Sequence, residues 1–287
     1  MSAVGALGKR GVDPARRVYR IQRTRGFHLK LGELWAYREL LFFLVWRDVK
    51  VRYKQTALGA IWAILQPFVT MVVFTVLFNK ALHVKSEYHV PYALFTFTAL
   101  LPWTYFSSCL GASSTSIVGN QNLITKVFFP RLIIPLASVV APVIDFLLAF
   151  TVLVGMFVWY GRTPHWHAIV IPFFLFLALI TAFGVGLWLS ALNVRYRDIG
   201  YALPFLTQVW FFVTPVLWGI TFVKPSTQHV LGLNPMTGVV DGFRWAVLGR
   251  GLPHYGLYLE SLGIGLLIML SGLWYFKRVE RYFADLI

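Results

Sequence analysis

One acid sits deep inside an apolar run, FPRLIIPLASVVAPVIDFLLAF, and its chemistry has to be explained first: Asp145. A carboxylate at the centre of a membrane helix costs about 2.5–3.5 kcal/mol on insertion scales, so it must face other protein or carry a proton. Two uses fit, a proton relay or a hydrogen bond to a neighbouring helix. A relay needs further ionisable groups at the same depth, and no such partner is identifiable, which favours the hydrogen bond. A second set is basic: Arg47, Lys50, Arg52 and Lys54 crowd into RDVKVRYK. Arginine's planar fork suits bidentate phosphate contact and lysine adds a point charge, yet the same residues could simply enforce topology. Asp241 and Arg244, spaced i,i+3, can pair on one helix face.

Catalytic constellations are missing. The chain holds no HExxH, no GxSxG and no paired cysteines, and Asp plus Glu number only 11. No GxxxxGK[ST] phosphate loop is present, because Gly8-Lys9 runs on into Arg10 without an upstream glycine at the required spacing. An enzyme or a self-sufficient ATPase is therefore not expected, and any ATP and Mg are bound by another subunit. The single cysteine, Cys109, lies in an apolar stretch and reads as a small buried hydrophobe.

The elements that must position these residues are membrane helices. Hydrophobic residues make up 58% of the chain and charged residues 13%, about half the share in soluble domains, so lipid must cover the surface. A helix needs about 20 apolar residues to cross about 30 Å of hydrocarbon. Six runs qualify, at about 56–79, 91–117, 132–160, 167–192, 201–223 and 257–276. The net charge of +15 could suggest nucleic acid, but 13 of the 26 Lys and Arg precede residue 55, ahead of the first span. That placement reads as a cytoplasmic anchor on anionic lipid, with residues 1–30 a basic tail lacking the apolar core of a cleavable signal. Placing 1–55, 118–131, 193–200 and 277–287 on one side gathers 20 basic residues there against 6 opposite, which puts both termini in the cytoplasm.

Two segments break the pattern. Residues 33–46, ELWAYRELLFFLVW, are too short to span; Leu34, Trp35, Leu41, Leu44 and Val45 can share an apolar face, which predicts an interface helix along the cytoplasmic surface. Residues 225–250 contain short apolar pieces broken by Gly232, Asn234-Pro235 and Gly238. Irregular backbone survives at membrane depth only under protein or beside a water-filled cavity, which predicts a re-entrant helical hairpin, against a plain surface hairpin. The fold class expected is an all-α integral membrane protein, with residues 31–287 forming one transmembrane domain.

Five segments in order resemble the membrane subunit of ABC-2-type polysaccharide exporters, the family that carries O-antigen, capsule, teichoic-acid and related glycans. They are RDVKVRYKQTALGAIWAILQP (47–67), NLITKVFFPRLIIPLA (122–137), NVRYRDI (193–199), TPVLW (214–218) and LNPMTGVVDGFRWAVLG (233–249). The resemblance covers nearly all of the chain from about residue 33.

The resemblance implies a homodimer in the bacterial inner membrane, paired with a separate ABC-type ATP-binding subunit and moving a polysaccharide linked to undecaprenyl diphosphate. Residues 119–130 would be the coupling helix, with Asn122, Lys126 and Arg131 supplying polar contacts and Leu123, Ile124, Val127, Phe128 and Phe129 an apolar anchor. Arg47, Lys50, Arg52 and Lys54 lie where the lipid diphosphate would arrive. Trp62, Phe68, Trp103, Tyr105, Trp210, Phe211, Phe212 and Trp218 are candidate pore-lining faces for sugar rings, though interfacial belts also use such residues. Asn234, Pro235, Asp241 and Arg244 mark an outer gate or a fixed clasp. An ABC-2 drug or lipid exporter would share this topology and remains the alternative. A membrane-embedded glycosyltransferase lacks its acidic or metal-binding cluster here, and a secondary transporter its internal repeats.

Overall fold

A computed structural model describes residues 31–54, 59–83, 90–249 and 253–283; the basic tail and the first residues of the predicted first span lie outside these. The described residues are helical and contain no strand. In chain order α1 is Leu31–Ala36, α2 Arg38–Lys54, α3 Ile61–Phe74 continued by a π-helical turn Thr75–Ala81, and α4 Tyr92–Gly119. Then come α5 Gln121–Lys126, α6 Ile133–Val140, α7 Val143–Trp159, and α8 Ile171–Arg195, the last entered through a 3-10 turn, Trp166–Val170. α9 Ile199–Val213, α10 Pro225–Gly232, α11 Pro235–Leu248 and α12 Tyr255–Val279 complete the bundle.

Five of these units are long and apolar enough to cross a membrane: Ile61–Ala81, Tyr92–Gly119, Ile133–Trp159, Trp166–Arg195 and Tyr255–Tyr282. The fifth predicted span differs. Helix α9 stops at Val213 after 15 residues, about 22 Å of rise, because Thr214-Pro215 ends it. The third span is broken at Ala141-Pro142, where proline has no N–H to return to the preceding turn. The interface helix also departs from expectation. Rather than stopping at Trp46 it runs to Lys54, since RDVKVRYK has no glycine or proline to interrupt it. The basic residues expected in a loop therefore ride on a helix.

α4 is the centre: 78% of its most apolar window is buried, against 11% for α3. It packs against α8, α6, α11 and α7. α8 and α12 cross closely enough to need glycine at the contact. A Cβ on Gly184 would stand 2.6 Å from the Met269 backbone, and one on Gly272 would strike the Gly184 carbonyl. Between apolar helices in lipid such close packing, rather than exclusion of water, supplies the association energy. A second cluster closes the end carrying α5: Leu44, Ile117, Phe129, Ala191, Phe276 and Phe283 bring five parts of the chain together.

Gly272→Val is expected to cost about 2 kcal/mol or more through overpacking. Gly263→Val, where nothing lies within 4 Å of an added Cβ, is expected to be neutral. Thermal stability of the two variants in detergent, read by size-exclusion chromatography, checks the difference.

Candidate functional site

Two arginines and a row of hydroxyls organise the interior. The first, Arg244 on α11, is 1% exposed and answers the irregular backbone that follows α9. Its guanidinium donates to the carbonyls of Pro215 at 2.6 Å, Trp218 at 3.0 Å and Phe95 at 3.3 Å, and also to Val216. It lies 3.7 Å from the Phe95 ring centroid. The Leu217 carbonyl takes the Tyr92 hydroxyl at 2.6 Å. The Val216 and Phe222 amides serve Thr214 and Gly219. Each carbonyl from Thr214 to Gly219 thus has a donor, as backbone without helical partners requires.

Helix α11 is fixed to deliver that arginine. Asn234 caps it by accepting from the Met236 amide at 3.1 Å, with Pro235 in the first turn, where a missing N–H costs nothing. The same Asn234 accepts from Trp210 Nε1 at 2.9 Å and donates to Thr214 Oγ1 at 2.9 Å, tying α11 to the end of α9. At its other end Gly249 takes φ +62°, and a Cβ there would strike the His165 ring. The expected Asp241–Arg244 pair does not form. Asp241, 2% exposed, instead accepts from His254 at 2.9 Å and Tyr258 at 3.1 Å, because Arg244 turns to the carbonyls on its other side. The pair is replaced by two separate anchors, one to α12 and one to the α9 extension.

The second arginine meets the acid in the third span. Arg52, near the end of α2, pairs with Asp145, and the Tyr53 hydroxyl donates to the same carboxylate. Burial and that carboxylate push the Tyr53 phenol above its ordinary range, so it stays a donor. Asp145 also lies in the first turn of α7, where the helix dipole favours negative charge. An ionisable partner was not identifiable from the sequence because it comes from residues read as a basic loop, which ride on α2. Arg47, five residues earlier on the same helix, donates to Asn120 at 2.8 Å and to Asp48 at 2.8 Å. Lys50 and Lys54 are exposed.

Three neighbouring cavities follow one face of α4. The first, about 510 Å³, lies by Arg47, Arg52, Thr115, Ser116 and Asn120. Sharing Arg52 with it, the second, about 280 Å³, adds Tyr53, Trp62, Gln66, Thr104, Ser108 and Asp145. The third, about 440 Å³, shares Gln66, Thr104 and Ser108 and adds Thr70, Trp103, Thr207, Gln208, Phe211 and Phe212. From Leu100 to Asn120 the track runs about 30 Å along α4, the thickness of a bilayer's hydrocarbon core. Gln66, Ser107, Ser108 and Gln208 line it and make no side-chain hydrogen bond among the described residues.

Of the aromatic residues singled out by sequence, Trp62, Phe211, Phe212 and parts of Trp103 and Tyr105 face this track. Trp103 and Tyr105 are otherwise buried, at 5% and 2% exposure, with Tyr105 donating to the Val139 carbonyl at 3.1 Å. Phe68 is exposed on α3, Trp210 is held by Asn234, and Trp218 offers its carbonyl to Arg244. The lining amides and hydroxyls were missed; the available signal was uncharged polar residues inside apolar helices. In the 119–130 segment, α5 is followed by extended chain. Asn122, Lys126 and Val127 are exposed and Phe128 is 95% exposed. Ile124 and Phe129 instead point into the cluster beneath, as does part of Leu123, so they anchor the segment to its own chain. Arg131 donates to the Glu280 carbonyl at the end of α12.

A bundle of spanning helices around a polar, hydroxyl-lined track defines a multi-pass membrane protein of the transporter class. The chain belongs to the ABC-2 type transporter family, whose model matches residues 39–248. It is 30% identical over 258 residues to the O-antigen export system permease protein RfbA of Myxococcus xanthus, covering 89% of this chain and 98% of that protein. A Klebsiella pneumoniae permease of the same name is 28% identical over 251 residues, 87% of this chain and 95% of its own. The polysialic acid transport protein KpsM of Escherichia coli is 24% identical over 231 residues, 78% and 86% of the two chains.

Arg244→Lys cannot reproduce the fork, and each carbonyl left without a donor costs about 1–3 kcal/mol. The variant is expected to lose thermal stability in detergent as severely as Arg244→Ala; retention of wild-type stability by the lysine would contradict the fork's role.

Proposed function

We propose that this chain is the membrane subunit of an exporter that moves a polysaccharide linked to undecaprenyl diphosphate out of the cytoplasm, driven by ATP hydrolysed in a partner subunit. The observation that carries the reading is the track along α4, whose Gln66, Ser107, Ser108 and Gln208 face a cavity without partners in the described residues. An unpartnered amide at membrane depth calls for a polar occupant. Sugar hydroxyls, both donors and acceptors, match neutral amides and hydroxyls, while Trp62, Phe211 and Phe212 offer faces for the rings. The similarity to an O-antigen export permease and to a polysialic acid transport protein supports the same cargo class.

The remaining parts take roles from their placement. Both termini lie in the cytoplasm, and α9 with its extension to Phe222 makes the sixth crossing. Residues 225–249 form the described part of the re-entrant hairpin, with α11 held by Asn234 and Asp241 as a fixed clasp at the outer end. Two copies of the chain enclose the conduit, each contributing its track. Phe128 and Val127, with Asn122 and Lys126, present the surface for the ATP-binding subunit, because an exposed aromatic flanked by polar groups is the usual form of an interface anchor. Lys50 and Lys54 stand free of the bundle on α2 and meet the lipid diphosphate.

Depleting the protein is expected to leave full-length undecaprenyl-linked polymer on the cytoplasmic side, detected by lipid extraction and glycan blotting. Normal surface glycan without accumulation would transfer the reading to a drug or lipid exporter. Phe128→Ala is expected to weaken capture of the ATP-binding subunit about 10-fold or more with the fold intact. Ile124→Ala is expected to lower stability first, and co-purification against thermal denaturation separates the two.

A further inference from the structure

Arg52 borders two of the three cavities and, among the described residues, alone joins the first to the second. On one side of it lie Arg47, Thr115 and Asn120, on the other Trp62, Gln66 and Asp145. The Arg52 side chain therefore stands where the two cavities meet. Its guanidinium is engaged by the Asp145 carboxylate, with the Tyr53 hydroxyl on the same acid. The two side chains are 35% and 19% exposed, so the pair can be reached from the cavities.

We propose that the Arg52–Asp145 pair is a latch opened by a diphosphate group: the guanidinium leaves Asp145 for the diphosphate and clears the way from the first cavity to the second. The proposal rests on the reading that the cargo carries such a group. The exchange is favourable for reasons of charge and shape. A diphosphate presents more negative charge than one carboxylate and several oxygens for the planar fork. Arg47 beside Arg52 is divided between Asp48 and Asn120. After the exchange Asp145 keeps the Tyr53 hydroxyl but loses its cation, so the open arrangement is unfavourable without ligand. Only a ligand that engages Arg52 in the open arrangement shifts that balance.

The sign of one substitution separates this from a merely structural ion pair. Asp145→Asn removes the competitor for Arg52, so diphosphate binding is expected to tighten about 10-fold; a structural pair predicts weaker binding or none. Arg52→Gln is expected to lose binding about 10-fold or more, and to do so equally in the Arg52→Gln/Asp145→Asn double variant. Tyr53→Phe deprives Asp145 of its remaining donor in the open arrangement, and is expected to weaken binding several-fold with Arg52 untouched. That variant keeps the test decisive should Asp145→Asn fail to fold.

Binding is measured on the full chain in phosphatidylcholine nanodiscs, with undecaprenyl diphosphate in one arm and inorganic pyrophosphate in the other. Tightening with the lipid alone assigns the latch to a lipid headgroup, and tightening in both arms assigns it to any diphosphate. Unchanged or weaker binding by folded Asp145→Asn in both arms overturns the latch, as does wild-type binding by Arg52→Gln or Tyr53→Phe. Should the wild type bind neither probe, the diphosphate cargo falls with it; wild-type binding without the Asp145→Asn gain removes the latch alone.

Discussion

The guanidinium of Arg244 is the interaction on which the rest of the bundle depends. Once α9 stops at Val213, six successive carbonyls lose helical partners, and lipid offers none. Arg244 and Tyr92 supply donors from α11 and α4, which fixes both helices against the extension. α11 can present its arginine there only if its own ends are set, by Asn234 at one and by Gly249 against His165 at the other. Asn234 then reaches back to Trp210 and Thr214, so the irregular segment and the helix that satisfies it hold each other. A charge buried this deeply is expensive, and it is tolerated because its donors are spent on acceptors that would otherwise be bare.

That accounting sets the α4 track apart. Elsewhere in the interior polar groups find partners: Thr98 and Thr181 return to their own helices, Asn193 donates to the Ser114 carbonyl, and Asp241 is held by His254 and Tyr258. Along the track the logic is reversed, with Gln66 and Gln208 carrying amides into open space. A few buried hydroxyls, Thr96, Ser113 and Thr237 among them, also lack partners among the described residues, but they are sealed in the packing between helices.

The crossing helices were legible in the sequence because apolar runs of spanning length report directly on the solvent. Sequence placed five of them within a few residues. What failed were statements about partners. Periodicity puts Asp241 and Arg244 on one helix but cannot show that a carbonyl-rich extension competes for the arginine. Asp145 was read as lacking an ionisable partner, because nothing local reveals that α2 continues to Lys54 and delivers Arg52 to it. Composition equally marks Ile124 and Phe128 as apolar; only the cluster beneath α5 decides that the first is buried and the second left out. Aromatics drew attention to the site because they are conspicuous. The glutamines in α3 and α9 were the more specific sign, since a helix gains nothing in lipid from an amide it cannot satisfy.

The walls of the track are unequal, and the difference bears on what can pass. α4 is packed on most sides, so its hydroxyls at Thr104, Ser108, Thr115 and Ser116 form a fixed rail. α3 is barely buried and meets α9 through rings such as Phe74 and Phe211, 5.9 Å apart between centroids. Ring contacts of this kind contribute about 0.5–1.5 kcal/mol each and fix no single register. Separating α3 from α9 therefore costs little, while displacing α4 would dismantle the core. In the proposed conduit, a rigid polar wall on α4 and a loosely held α3 let the track widen for a bulky ring and close behind it without repacking α4. The π-helical turn at Thr75–Ala81 adds to this, because an i→i+5 turn already departs from the tight ladder that keeps a helix straight.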